Sequence, residues 1–160
     1  MPMRSPTSVA ALALLLAALG AVAPVRAAKA TAPRPSWASL RVRVEGFRST
    51  DGQARLALFR GSDGFPDEPS RAVRASRIRI RGPVIEIVWS GLEPGSYALS
   101  FIHDENDDGR LNASWLGVPL EGGGFSRNAV GSFGPPSYED AQLELHPGER
   151  LKTVLQMVYY

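Results

Sequence analysis

Cysteine is absent from the 160 residues, and histidine occurs only at His103 and His146. The first absence removes disulfide staples, thiol nucleophiles and every thiolate metal site. A domain of this kind is held by its own hydrophobic core, or by a hard cation bound through oxygen. The second narrows catalysis. His146 falls in a His-Pro-Gly turn, and no nucleophile elbow surrounds Ser126, the hydroxyl that shares a segment with His103. No Gly-Lys-Ser/Thr follows the glycines, so a phosphate-cradling loop is excluded. Helical periodicity is missing as well.

Long apolar runs are scarce. The one present, Val9 to Val22, follows Arg4 and precedes Val25-Arg26-Ala27. It is too short for a bilayer span and suits a cleavable export leader, with processing expected after Ala27, or alternatively after Ala30. With no cysteine to acylate, lipoprotein anchoring is excluded. The expected product is exported, periplasmic or secreted, with no membrane span in its mature part. Residues 28–38, rich in alanine and proline, read as a linker to a single domain over 39–160.

Nor is there a charge excess. The chain has 18 basic and 16 acidic residues, and without Arg4 and Arg26 the balance is 16 against 16, so nucleic acid is not an expected partner. The signs are segregated, however. Arg41 to Arg81 contains ten arginines and five acids, whereas Glu86 to Glu149 contains eleven acids and two arginines.

What is present is period-two alternation. Leu40, Val42 and Val44 alternate with Arg41, Arg43 and Glu45, and Ile78 and Ile80 alternate with Arg77, Arg79 and Arg81. Further strands are expected at 54–59, 84–89, 97–102, 141–145 and 151–159, with Asp51-Gly52 as a hairpin turn, Gly82-Pro83 and Leu92–Gly95 as tight turns, and His146-Pro147-Gly148 joining the last two strands. Seven strands with short connections predict an all-β fold, a single antiparallel two-sheet sandwich with a long glycine-rich loop. The expected core is Val42, Val44, Leu56, Leu58, Ile85, Ile87, Tyr97, Leu99, Phe101, Leu143, Leu145, Val154 and Leu155.

Asp104 to Asn112, DENDDGRLN, is the chemically specific stretch. Asp104, Asn106 and Asp108 take the first, third and fifth places of a calcium loop, and Gly109 takes the sixth, where the sharp turn excludes a Cβ. The Arg110 carbonyl and Asn112 would follow, Leu111 would pin the loop to the core, and Glu105 and Asp107 would face solvent. Trp115 occupies the place of the usual bidentate acid, so Glu121 is the expected replacement if the chain folds back. Calcium is the expected cofactor; an Asx-rich turn without metal is the alternative. From Gly117 to Asp140 the chain has six glycines and three prolines, with Phe125, Phe133 and Tyr138 among them. With Trp115, these aromatics are candidate ligand-binding platforms, or else anchors for a loop that covers the core.

The phrase Trp89-Ser90-Gly91-Leu92-Glu93-Pro94-Gly95-Ser96-Tyr97 resembles a turn of transthyretin-like and carboxypeptidase-regulatory-like sandwiches. His103-Asp104-Glu105-Asn106, Asp108-Gly109, Leu111, Leu116-Gly117-Val118-Pro119, Glu121-Gly122, Gly124-Phe125-Ser126, Gly134-Pro135-Pro136-Ser137-Tyr138 and Asp140-Ala141 resemble the signature of the bacterial DUF2141 family of small exported proteins. The family usually carries an aromatic residue at Gly123 and an asparagine at Arg127. The resemblance implies a β-sandwich and export, and brings no activity or catalytic residue. The expected function is a non-catalytic envelope module, calcium-stabilised, that binds a protein or polysaccharide partner. The alternatives are a small metal-dependent or His103-based hydrolase and a purely structural accessory domain.

Overall fold

The computed structural model describes residues 36–160. The expected leader, 1–27, and all but the end of the expected linker lie outside the described residues. The first strand, β1 (Ala38–Glu45), starts just inside that linker. It is followed by β2 (Gln53–Phe59), β3 (Arg74–Arg79), β4 (Val84–Leu92), β5 (Gly95–Asp104), β6 (Gly123–Phe125), β7 (Leu143–Leu145) and β8 (Arg150–Gln156). One helical turn, α1 (Tyr138–Ala141), is capped by Ser137, whose hydroxyl accepts from the Asp140 N–H at 3.1 Å. Among the described residues no helix is long and apolar enough to cross a membrane.

The fold is mostly β and has two sheets, one of order β4-β1-β8 and one of order β3-β2-β5-β6, with β7 also on β5. Two expectations about pairing are corrected. The β1–β8 ladder is parallel, Ser39 facing Arg150 and Glu45 facing Gln156. And Asp51-Gly52 is not a hairpin turn: β1 pairs with β4 and β8, β2 with β3 and β5, so the chain crosses from one sheet to the other there. Gly82-Pro83, Leu92–Gly95 and His146–Gly148 likewise join strands of different sheets. Turn residues set where the backbone reverses; which neighbour the returning strand finds is decided by tertiary packing.

One apolar cluster draws on both sheets. Leu40, Val42, Val44, Ile85, Trp89 and Leu155 come from the first, and Ala54, Leu56, Leu58, Tyr97, Leu99 and Phe101 from the second. Burial of this apolar area is the main favourable term, and the alternation in each strand decides which side chains contribute. Ile87 and Leu143 pack on this cluster half-buried. Val154 does not belong to it: it is 51% exposed, because its neighbour Leu155 takes the inward position opposite Val44.

A second cluster covers the other face of β2 and β5. Ala57, Phe59 and Ala98 meet Tyr138 and Ala141 of α1, with Phe65 and Phe125 packed against them. Phe65 stands edge-on to Phe59, Phe125 and Tyr138 at 5.6–6.0 Å between ring centres. The stretch after Gly117, read from sequence as one long loop, thus contains β6, a 3-10 turn at Ser126–Asn128 and α1.

Candidate functional site: the acidic loop at the end of strand β5

Strand β5 ends on two fully buried polar residues, His103 and Asp104. His103 is held from two sides. Its Nε2 donates to the Asp51 carbonyl at 2.9 Å, and its Nδ1 lies 2.7 Å from the Tyr159 hydroxyl and 3.4 Å from Glu105 Oε1. Burial pushes the Tyr159 hydroxyl up, so it remains a donor, and it accepts in turn from the Arg48 N–H at 3.1 Å. The crossover fits closely over this end of β5. Gly52 has φ +60°, and a Cβ there would lie 1.9 Å from the Asp104 carbonyl oxygen.

Beyond Asp104 the chain coils through successive side-chain-to-backbone turns. Asn106 Oδ1 accepts from the Asp108 N–H at 3.1 Å, and Asp108 Oδ1 accepts from the Arg110 N–H at 2.8 Å. The other ends of these side chains converge: Asp108 Oδ2 lies 3.1 Å from Asn106 Nδ2 and 3.0 Å from Asn112 Nδ2. The Asn112 amide, then the Arg110 N–H, hold the Asp108 carboxyl below its usual range. Asp104 Oδ2 accepts from the Gly109 N–H at 3.0 Å and from Gln53 Nε2 at 3.2 Å, with Arg55 Nη1 at 3.5 Å. Asp104 Oδ1 is buried and has no hydrogen-bond partner.

Glu121, 5% exposed, folds back onto this loop. Its Oε1 accepts from the Glu105 N–H at 2.9 Å and its Oε2 from the Asn112 N–H at 2.8 Å, so one carboxylate ties both ends of the coil. Two expectations fail here. Leu111 is 44% exposed and pins nothing, since the buried Asp104 and Glu121 do that work through hydrogen bonds. Glu105 does not face solvent alone: Arg48 donates to both its oxygens, at 2.7 and 2.9 Å, and also reaches the Leu120 carbonyl. Asp107, at φ +60°, accepts from Arg79 at 3.0 Å. The arginines Arg48, Arg55 and Arg79 are the participants that motif reading missed. Their signal was the segregation of charge between the two halves of the chain.

Among the described residues no three His, Cys, Asp or Glu side chains are grouped so as to hold a metal. Oxygen donors at the loop include the Asp104 and Asp108 carboxylates, the two asparagine side chains and the Arg110 carbonyl. A short hairpin follows, closed by the Ala113–Pro119 bridge and by the Ser114 N–H to Val118 carbonyl bond of 2.8 Å. It carries Trp115, 92% exposed, at its tip. Phe133 is also fully exposed, whereas Phe125 and Tyr138 are packed in the second cluster, where the Tyr138 hydroxyl accepts from the Gly61 N–H. Two surface hollows, of about 90 Å³ beside Gly124, Phe125 and Asn128 and about 320 Å³ beside Arg41, Glu86 and Lys152, include no residue of the acidic loop.

Residues 42–152 match the family described as an uncharacterized protein conserved in bacteria, DUF2141. The chain belongs to this family. The match runs from β1 into β8 and takes in the acidic loop, the hairpin and Glu121. Neither the curated proteins nor the solved structures gave a match. The arrangement at the end of β5 is therefore read on its own chemistry, as a site of the DUF2141 domain.

Proposed function

We propose that this DUF2141 protein is an exported, non-catalytic binding module, its two sheets packed as a transthyretin-like sandwich and its acidic loop taking one calcium ion. Asp104, Asp108, Asn106, Asn112 and the Arg110 carbonyl would supply oxygen, with water completing the six to eight ligands calcium takes. The observation that carries the reading is Asp104 Oδ1. A fully buried carboxylate oxygen with no donor opposite is unfavourable, and a cation beside it removes that cost. The coil supports it too: its turns engage Asp104 Oδ2 and Asp108 Oδ1 on backbone N–H groups, which leaves Asp104 Oδ1 and Asp108 Oδ2 as the oxygens offered to an ion. In this reading Glu121 acts on the ion through the backbone that it braces.

A binding role is favoured over hydrolysis by the state of the candidate catalytic groups. Both ring nitrogens of His103 are engaged, and the buried Ser126 hydroxyl bonds the Leu99 N–H and the Ala141 carbonyl. Trp115 and Phe133 are the exposed aromatics offered to an envelope protein or polysaccharide.

Thermal unfolding with and without calcium tests the reading. Calcium at about 1 mM, where extracellular calcium modules work, is expected to raise Tm, and magnesium to raise it less. Asp104→Ala and Asp108→Ala should lose the calcium shift, and Trp115→Ala should keep it. A wild-type protein whose Tm ignores calcium would overturn the metal assignment.

A further inference from the structure

We propose that Arg55 is a tethered competitor of the calcium site, its guanidinium balancing the charge of the Asp104 carboxylate when no ion is bound and yielding when one enters. The inference rests on the calcium reading above and deepens it. Arg55 lies at the centre of its sheet, facing Ile102 on one side and Arg77 on the other. Its Nη1 is 3.5 Å from Asp104 Oδ2, and the guanidinium rests on the loop's turn: a Cβ at Gly109 would come within 2.8 Å of Nη1. The sixth-position glycine therefore serves the arginine as well as the turn.

Three donors share Asp104 Oδ2, and the arginine's contact is the longest of them, after Gly109 at 3.0 Å and Gln53 at 3.2 Å. At that distance the guanidinium acts mainly as a nearby charge and only weakly as a hydrogen-bond donor, so it can leave without unmaking a strong bond. The Arg55 side chain is 21% exposed beside an Asp104 that is not exposed at all, so water is open to the one and closed to the other. The neighbouring arginines differ in what they hold. Arg48 pairs with Glu105 and Arg79 with Asp107, the intervening positions, while Arg55 alone faces the first ligand. A divalent ion on Asp104 would lie within a few ångströms of that guanidinium, and like charges so close in a half-buried site repel strongly. Entry of calcium and departure of Arg55 are thus one exchange of cations over a single carboxylate.

Calorimetric titration of the full chain with calcium chloride tests this. Arg55→Gln should bind calcium at least about tenfold more tightly than wild type, a change of about 1.4 kcal/mol. Its Tm without calcium should fall, since Asp104 then loses the cation beside it. Arg55→Lys, which keeps a charge on the stem, should stay within about threefold of wild type. Arg79→Gln is the control for bulk charge. Asp104→Asn should abolish binding in every background. Equal affinity in wild type and Arg55→Gln would overturn the competitor and leave the calcium site standing, and so would equal tightening by Arg79→Gln. Binding by Arg55→Gln where wild type is silent would support the competitor in its strongest form. Silence in every protein would overturn both readings. If Arg55→Gln unfolds without calcium, recovery of its folded spectrum on adding calcium supports exchange, and failure to recover counts against it.

Discussion

The apolar cluster shared by the two sheets and the acidic end of β5 are both buried, yet they are held by different physics. In the apolar cluster, Leu40, Leu58, Leu99 and Leu155 are fully buried, and their contribution scales with area and volume. At the end of β5, His103, Asp104 and Glu121 are also buried but are held by directional bonds, several of them to partners far away in sequence. Gln53 reaches Asp104 across 51 residues, Arg48 reaches Glu105 across 57, and Arg48 meets the Tyr159 hydroxyl across 111. The first region tolerates other apolar side chains of similar volume. The second is sensitive to single atoms, because each donor has one acceptor and a lost partner leaves a buried polar group bare.

Substitutions can break or sharpen this contrast. The largest loss is expected in the apolar cluster: Leu99→Ala should destabilise by about 2–5 kcal/mol in denaturant unfolding, through lost transfer energy and a residual cavity. A loss below about 1 kcal/mol would mean that this core is not tightly packed. Glu121→Gln is nearly isosteric but points an amide N–H at a backbone N–H, with an expected cost of about 1–3 kcal/mol. The effect should be local, with faster hydrogen exchange at the Glu105 and Asn112 amides and little change in the central strands. Uniformly faster exchange would erase the distinction between the two regions. Arg127→Asn should stabilise by up to about 1 kcal/mol, since residue 127 sits at φ +61°, where asparagine is more comfortable than arginine. Smallest of all, Arg43→Ala on the outer face should cost less than about 1 kcal/mol and nothing at high salt, because its partners Glu45 and Glu86 are 33% and 44% exposed.

The two regions also differ in how far they could be read from sequence. Alternation identified Val42, Val44, Leu56, Leu58, Tyr97, Leu99, Phe101, Leu145 and Leu155 as core, all of them buried. It failed at Val154, where two adjacent apolar residues competed for one inward position. It also missed β6, since Gly123 and Gly124 have no side chain to alternate. Pairing was not legible, because a turn such as Asp51-Gly52 looks the same whether it makes a hairpin or crosses between sheets. At the loop, the spacing of Asp104, Asn106, Asp108 and Gly109 marked the coil, and the search for a replacement acid led to Glu121. Arg48 and Arg55 escaped notice, because an arginine's partner is chosen by the fold and its stem is long enough to reach several. Arg127 gained its meaning only from the left-handed backbone there.

The parallel ladder between β1 and β8 has a consequence for how the protein is made. Every contact in it closes a loop of 111 residues, whereas β1 meets β4 at half that separation or less. Loop closure on that scale is entropically expensive and belongs to the slow end of the folding range. As the chain folds, β1 keeps one side unpaired until Arg150–Gln156 joins it, and Val44 gains its cover from Leu155 only then. A chain cut before Arg150 keeps an open strand edge next to its most apolar residues, which is the template for pairing with another chain. Nascent and clipped chains of this protein are therefore expected to aggregate through β1, and a chaperone that shields that edge is expected to raise the yield of folded product.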